Sequence, residues 1–341
     1  MRYPKELKKG AVIGVTATSA GYEAEADLAA LASGIKHFNR LGYEVLVTDN
    51  VYTSYKGRSS DGPTRARQLM DLFENQKVRS IIAACGGDYL VELLPYLDLR
   101  GLDADPKWVQ GYSDTTGLTF TITTNLDIAT IYSYNFSTFG MEQWHRSLED
   151  CVKIMEGNDV IQHSFESYQD GHREKVTGLE GFDLTKKVEW KNICGQKDDK
   201  DELIIKGRLL GGCLDVLLNL IGTRYDKTLD FIRRYQEDGI LWYLESFDLN
   251  SEALVRGLWQ LREAGWFEHA AGFVFGRPAM FSSYTDTDYE EAVLSVLGGL
   301  GLPIILDADI GHKPPQFAMV NGAMAKIKSL GGKGSIQIER R

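Results

Sequence analysis

Apolar positions along the chain fall into two rhythms. One consists of short continuous runs rich in β-branched and aromatic residues: 11–16 (AVIGVT), 43–48 (YEVLVT), 80–85 (SIIAAC), 107–110 (KWVQ), 239–244 (GILWYL), 272–275 (GFVF) and 303–306 (PIIL). Most are followed by small or polar turn residues, and unbroken apolar runs of this length predict strands buried on both faces. The other rhythm has a helical period. Leu28, Leu31, Ile35, Phe38 and Leu41 line one face, and Leu254, Leu258 and Leu261 another. Pro63 suits the first turn of a helix, and Leu90, Leu93 and Leu94 predict one more.

Strands and helices therefore alternate, which predicts an α/β fold with a doubly wound parallel sheet. The alternation breaks between residues 164 and 205, a polar and charged stretch without helical period. It resumes near Lys206, where Gly211-Gly212 is read as leading into a helix (GRLLGGCLDVLLNL). The expected organisation is a first domain over 1–163, a linker or insertion over 164–205 and a second α/β domain over 206–341. Trp190 stands alone in the polar stretch. It predicts either an anchor of a satellite core or a stacking platform.

Such sheets bind ligands at the carboxyl ends of their strands. Two candidate features fall there. Gly86-Gly87-Asp88 follows the third strand, and Gly111-Tyr112-Ser113-Asp114 follows the fourth. A serine on a tight strand-to-helix turn has its hydroxyl lifted from the sheet, beside the N–H groups of a helix start. The same residues also make an ordinary helix cap. A nucleophilic role for Ser113 needs a base and an orienting acid. Of six histidines, only His312 follows a predicted buried strand, in a loop set by Gly311 and Pro314-Pro315. Glu245 closes the apolar strand LWYLE, where a buried carboxylate needs a partner. Ser113, His312 and Glu245 thus compose a candidate triad, drawn from both halves of the chain.

The composition narrows the possible partners. Formal net charge is −10, which argues against general binding to nucleic acid or an anionic membrane. Four scattered cysteines with no CxxC or zinc spacing predict no structural metal and fit a reducing, cytoplasmic setting. The first apolar run, 11–15, is too short for a signal peptide, and GxGxxG is missing, so no dinucleotide cofactor is expected. Cys85 is a weaker nucleophile candidate because it lies inside an apolar strand. A non-catalytic two-lobed binding protein is the alternative from another class.

Taken together, GYSDTT, the glycine pair after an apolar strand, the second glycine pair leading to Leu220-Ile221-Gly222-Thr223, the strand ending in Glu245 and the DIGH loop resemble the LD-carboxypeptidase/microcin immunity peptidase family. The resemblance runs from about Lys9 to Lys328. It implies a Rossmann-like N-terminal domain, a smaller C-terminal α/β domain and a metal-free, cytoplasmic, homodimeric serine peptidase without cofactor. Catalytic Ser-Glu-His falls on Ser113, Glu245 and His312, and the backbone oxyanion hole on Asp114 and Gly86 or Gly87. Asp88 and Trp190 are expected to bind substrate. Gly211-Gly212-Cys213 stands where the family carries Gly-Gly-Asn, and YSYNFSTFG where carboxypeptidases carry a His-Gly-Pro-like turn. These departures and Trp190 favour an immunity-type substrate, an aspartyl amide of a modified nucleotide. The alternative is D-alanine release from muropeptide tetrapeptides.

Overall fold

The run VIGVT is apolar on both faces because its strand lies inside a sheet, buried at every position. The structure, a computed structural model, describes residues 1–171, 173–193 and 202–339. These gather into two compact units. The first takes residues 1–158 and 173–181, and the second the described residues of 159–172 and 182–341.

In the first unit β1 (Val12–Thr16), α1 (Glu25–Leu41), β2 (Glu44–Val47), α2 (Gly62–Glu74), β3 (Val78–Ala83), α3 (Leu99–Ala104), β4 (Trp108–Gly111), α4 (Thr116–Leu126), β5 (Thr130–Tyr132) and α5 (Arg146–Met155) follow one another. The strands run parallel in the order β5-β4-β3-β1-β2. The order reverses between β1 and β3, and such a switch point opens a ligand crevice at the carboxyl ends. Pro63 does lie in the first turn of α2, with the Asp61 carboxylate accepting the Thr64 N–H at 2.8 Å. The threonine-rich α4 is buried along most of its length. The Thr119 and Thr124 hydroxyls donate to carbonyls of the preceding turn, which lets polar side chains sit in a core.

The predicted helix at Leu90 is instead two short 3-10 turns, Leu90–Glu92 and Leu94–Tyr96. Pro95 cannot continue a helix, and the Glu92 carboxylate is held by Arg58 and Arg65.

The second unit contains β6 (Ile161–His163), β7 (Ser167–Tyr168), β8 (Lys186–Lys187), β9 (Lys191–Ile193), β10 (Leu203–Cys213), α6 (Leu214–Leu220), α7 (Thr228–Arg234), β11 (Ile240–Glu245), α8 (Ser251–Glu263), β12 (Ala270–Gly276), α9 (Tyr289–Leu297), β13 (Ile304–Ala308), β14 (Met319–Asn321), β15 (Met324–Leu330) and β16 (Lys333–Glu339). Eight of these form a sheet in the order β6-β16-β15-β10-β11-β12-β13-β9. Its centre, β10 to β13, is parallel, and its flanks are antiparallel. Gly211-Gly212 lies in β10, not in a turn before a helix; α6 begins only at Leu214. The polar stretch supplies β7, β8 and β9. Cys194, within it, lies outside the described residues.

Candidate active site

In the first unit the loops after β1, β3 and β4 are knitted together at the carboxyl end of the sheet. The Ser19 hydroxyl donates to the Asp114 carboxylate at 2.5 Å, and the Leu90 N–H donates to the same oxygen at 2.8 Å. Ala20 N–H donates to the Gly86 carbonyl at 3.2 Å. The Asp114 side chain is therefore committed to the scaffold. Burial holds its carboxyl above the usual range, and the bonds from Ser19 and Leu90 oppose that rise.

Ser113 stands on the turn between β4 and α4 with φ of +62°. That left-handed conformation is uncommon for a non-glycine residue and costs on the order of 1–3 kcal/mol. A surrounding scaffold has to enforce it. The Asn135 amide oxygen accepts the Tyr112 N–H at 3.2 Å, one residue before the serine. The Tyr132 ring meets Tyr112 edge-on. Gly86 lies against the nucleophile candidate: a Cβ there would stand 3.2 Å from Ser113 Cβ and 3.3 Å from Ser113 Oγ. The structure thus brings Ser113, Asp114, Gly86 and Gly87 into one corner, with exposed Asp88 directly after the glycine pair. Asn135 was not singled out from the sequence. An asparagine in the aromatic run YSYNFSTFG, expected to be buried, was the available signal.

In the second unit, Cys213 at the end of β10 is in register with Glu245 at the end of β11. Glu245 is fully buried, at 0% exposure. Its Oε2 accepts the His312 Nδ1–H at 2.8 Å. Gly311 makes this possible. Its φ is +91°, and a Cβ would stand 2.5 Å from Glu245 Oε2, so only glycine lets the loop close over the carboxylate. Burial alone would lower the His312 pKa. The charge and hydrogen bond of Glu245, with Asp215 beyond it, more than offset this and raise it above the ordinary value. A carboxylate accepts hydrogen bonds only, so Nδ1 keeps its proton and Nε2 is the basic nitrogen.

The loop before His312 is anchored by a second buried carboxylate. Asp309 pairs with Arg277 and accepts the Phe165 N–H at 3.3 Å and the Trp190 indole N–H at 3.1 Å. Trp190 is only 4% exposed, tilted against Phe317, with Gly334 beneath its ring. In this packing the ring is enclosed by its own unit. Among the described residues no three His, Cys, Asp or Glu side chains gather as a metal site would require, and no helix is long and apolar enough to cross a membrane.

Comparison with known proteins adds the following. The profile of the LD-carboxypeptidase N-terminal domain matches residues 13–133, and that of the LD-carboxypeptidase C-terminal domain matches residues 206–327. The microcin C7 self-immunity protein MccF of Escherichia coli is 24% identical over 301 residues, covering 86% of this chain and 84% of that protein. The structure of MccF in complex with aspartyl sulfamoyl adenosine is similar with a TM-score of 0.81 at 22% identity, covering 99% of this chain and 98% of that one. The muramoyltetrapeptide carboxypeptidase of Oxalobacter formigenes matches with a TM-score of 0.72 at 20% identity, covering 96% and 99%. At these identities the structural matches establish the two-domain α/β fold.

Proposed function

The chain belongs to the LD-carboxypeptidase family of peptidases, and from that premise we propose that it is a serine amidase using Ser113, His312 and Glu245. In this reading Ser113 Oγ attacks the amide carbonyl while His312 Nε2 takes its proton. Glu245 stabilises the imidazolium so formed. Backbone N–H groups of Asp114 and of the Gly86-Gly87 turn receive the oxyanion. His312 then protonates the leaving amine, and water deacylates the serine by the same steps in reverse.

The observation that carries the reading is the buried Glu245–His312 pair, which fixes the tautomer a general base requires. The left-handed Ser113 turn supports it, since strained serines of this kind present nucleophiles. The substrate proposed is an aspartyl amide of a modified nucleotide, in a homodimeric cytoplasmic enzyme. Near-complete coverage of the fold of MccF, solved with aspartyl sulfamoyl adenosine, supports that choice. Asp88, exposed at the rim, is proposed to contact the substrate. A second reading, D-alanine release from muropeptide tetrapeptides, gains from the burial of Trp190, which removes one candidate surface for a base.

The test is a parallel assay of purified protein on aspartyl sulfamoyl adenosine and on a muropeptide tetrapeptide. Ser113→Ala is expected to lower turnover of the preferred substrate by several orders of magnitude while leaving the fold intact. Residual activity within about tenfold of wild type would remove Ser113 from the mechanism.

A further inference from the structure

The turn after β11 carries Glu245 on one side and faces His312 on the other, and its Ser246 and Phe247 carbonyls accept the Ala279 and Met280 N–H groups at 3.1 and 2.7 Å. The N–H groups of the turn are held by Asp215, the second residue of α6. Its Oδ2 accepts the Phe247 N–H at 2.9 Å, and its Oδ1 accepts the Asp248 N–H at 3.0 Å. Two consecutive N–H groups are thus clamped by the two oxygens of one carboxylate. The Phe247 ring then lies on the imidazole of His312, with centroids 4.8 Å apart and planes tilted by 44°. Phe247 remains 41% exposed. Burial alone is a weak reason for a ring to stay there, so its position depends on the clamped backbone.

We infer that Asp215 is a positioning residue for the general base: it holds the 246–248 turn so that Phe247 packs against His312 and fixes the imidazole plane. The inference rests on the proposed role of His312. Glu245 holds Nδ1 within the plane of the ring, and an in-plane hydrogen bond does little to restrain tilting of the ring face. A ring packed against its face restricts the tilting, and misplacement of a catalytic group by an ångström costs about a hundredfold.

The charged groups bearing on His312 are Glu245 from the end of β11 and Asp215 from the start of α6. Cys213, at the end of β10, lies beside both, with Sγ 3.4 Å from Asp215 Oδ2. Burial, then the charges of Glu245 and Asp215, push its thiol up, so it stays neutral. Burial would also raise the Asp215 pKa, but the bonds from Asp248 and Phe247 outweigh it and lower it, so the clamp is ionised at neutral pH. Asp215 therefore positions the ring and adds a negative charge to its surroundings.

Two variants test this. Asp215→Asn is expected to lower kcat by about ten- to a hundredfold and to move the acid limb of the pH–rate profile to lower pH, because a charge favouring the imidazolium is lost. Phe247→Ala, at a half-exposed position, should lower kcat similarly without a comparable displacement of that limb. Wild-type kcat in Phe247→Ala overturns the inference even where Asp215→Asn folds poorly. Wild-type kcat and an unmoved limb in Asp215→Asn overturn it as well. If the wild type cleaves neither substrate, the proposed function has failed instead. The inference is then read from the 15N-histidine NMR titration of His312, whose midpoint should fall in Asp215→Asn; an unchanged midpoint overturns it.

Discussion

Two residues decide whether the chemistry runs as proposed: Gly86 and His312. Gly86 does not need a left-handed backbone, so Gly86→Ala adds one methyl group and little else. That methyl group would lie 3.2–3.3 Å from the Ser113 side chain, closer than most real contacts. The neighbour that must give way is the nucleophile. Gly86→Ala is expected to lower kcat by about tenfold or more, with a melting temperature within a few degrees of wild type; unchanged kcat would show that the serine hydroxyl works in a different rotamer. For His312 the sign follows from its raised pKa. A base must be neutral to accept a proton, and the raised pKa keeps it protonated to higher pH. kcat/KM should therefore fall as pH drops through a midpoint above the ordinary 6.5, and Glu245→Gln should move that midpoint down and lower the rate. A profile flat between about pH 6 and 9 would exclude His312 as the base.

At the scale of elements, the loop carrying His312 depends on a buried ion pair. Asp309 and Arg277 are almost fully enclosed, and the guanidinium also donates to the Ala308 carbonyl at 3.1 Å and lies over the Tyr168 ring. Burial pushes the Asp309 carboxyl up to about 6, and the Arg277 charge opposes that rise. Breaking such a pair by removing one partner costs about 3–5 kcal/mol. Arg277→Leu should therefore destabilise the protein to urea by about that amount. The pH dependence has a definite sign. Without Arg277 the carboxyl rises further above its unfolded value, so the folded variant binds a proton that the unfolded chain releases. The variant's deficit should shrink from pH 8 towards pH 5, as Asp309 becomes neutral. A deficit independent of pH would mean that lost packing, not the orphaned charge, sets the cost.

The same scale explains what the sequence made legible. The parallel strands were readable because a strand covered on both faces must be apolar at nearly every position, as in VIGVT and ILWYLE. Ser113, Glu245 and His312 stand out as candidates because Glu245 closes such a run and the other two lie on loops that follow one. Gly211-Gly212 misled, since two glycines before an apolar helical pattern look like a turn. In the fold, Gly211 is strand because the Tyr243 carbonyl of β11 leaves no room for a Cβ. The clamp formed by Asp215 was not legible at all. Its meaning lies in a turn more than thirty residues away, and nothing local distinguishes it from an ordinary acid in the first turn of a helix.

At the scale of the whole molecule, several side chains could in principle act as the nucleophile, and the fold ranks them. Cys151 and Cys213 are buried. Burial pushes the Cys151 thiol up to about 12 and Cys213 well above its usual value. Cys85 is the more accessible thiol, but its Sγ–H donates to the Ala20 carbonyl at 3.1 Å, and burial pushes it up to about 12 as well. At pH 8 such a thiol is ionised in about one molecule in ten thousand, and the thiolate is the reactive form. Ser113, in contrast, is half-buried on a strained turn beside backbone N–H groups. A fluorophosphonate should therefore abolish hydrolysis and leave a stoichiometric adduct on Ser113, located by mass spectrometry of the digested protein. Iodoacetamide at pH 8 should leave Cys85, Cys151 and Cys213 unmodified in the native protein. Alkylation of Cys85 in step with loss of activity, with no phosphonyl adduct on Ser113, would transfer the reaction from the hydroxyl to the thiol.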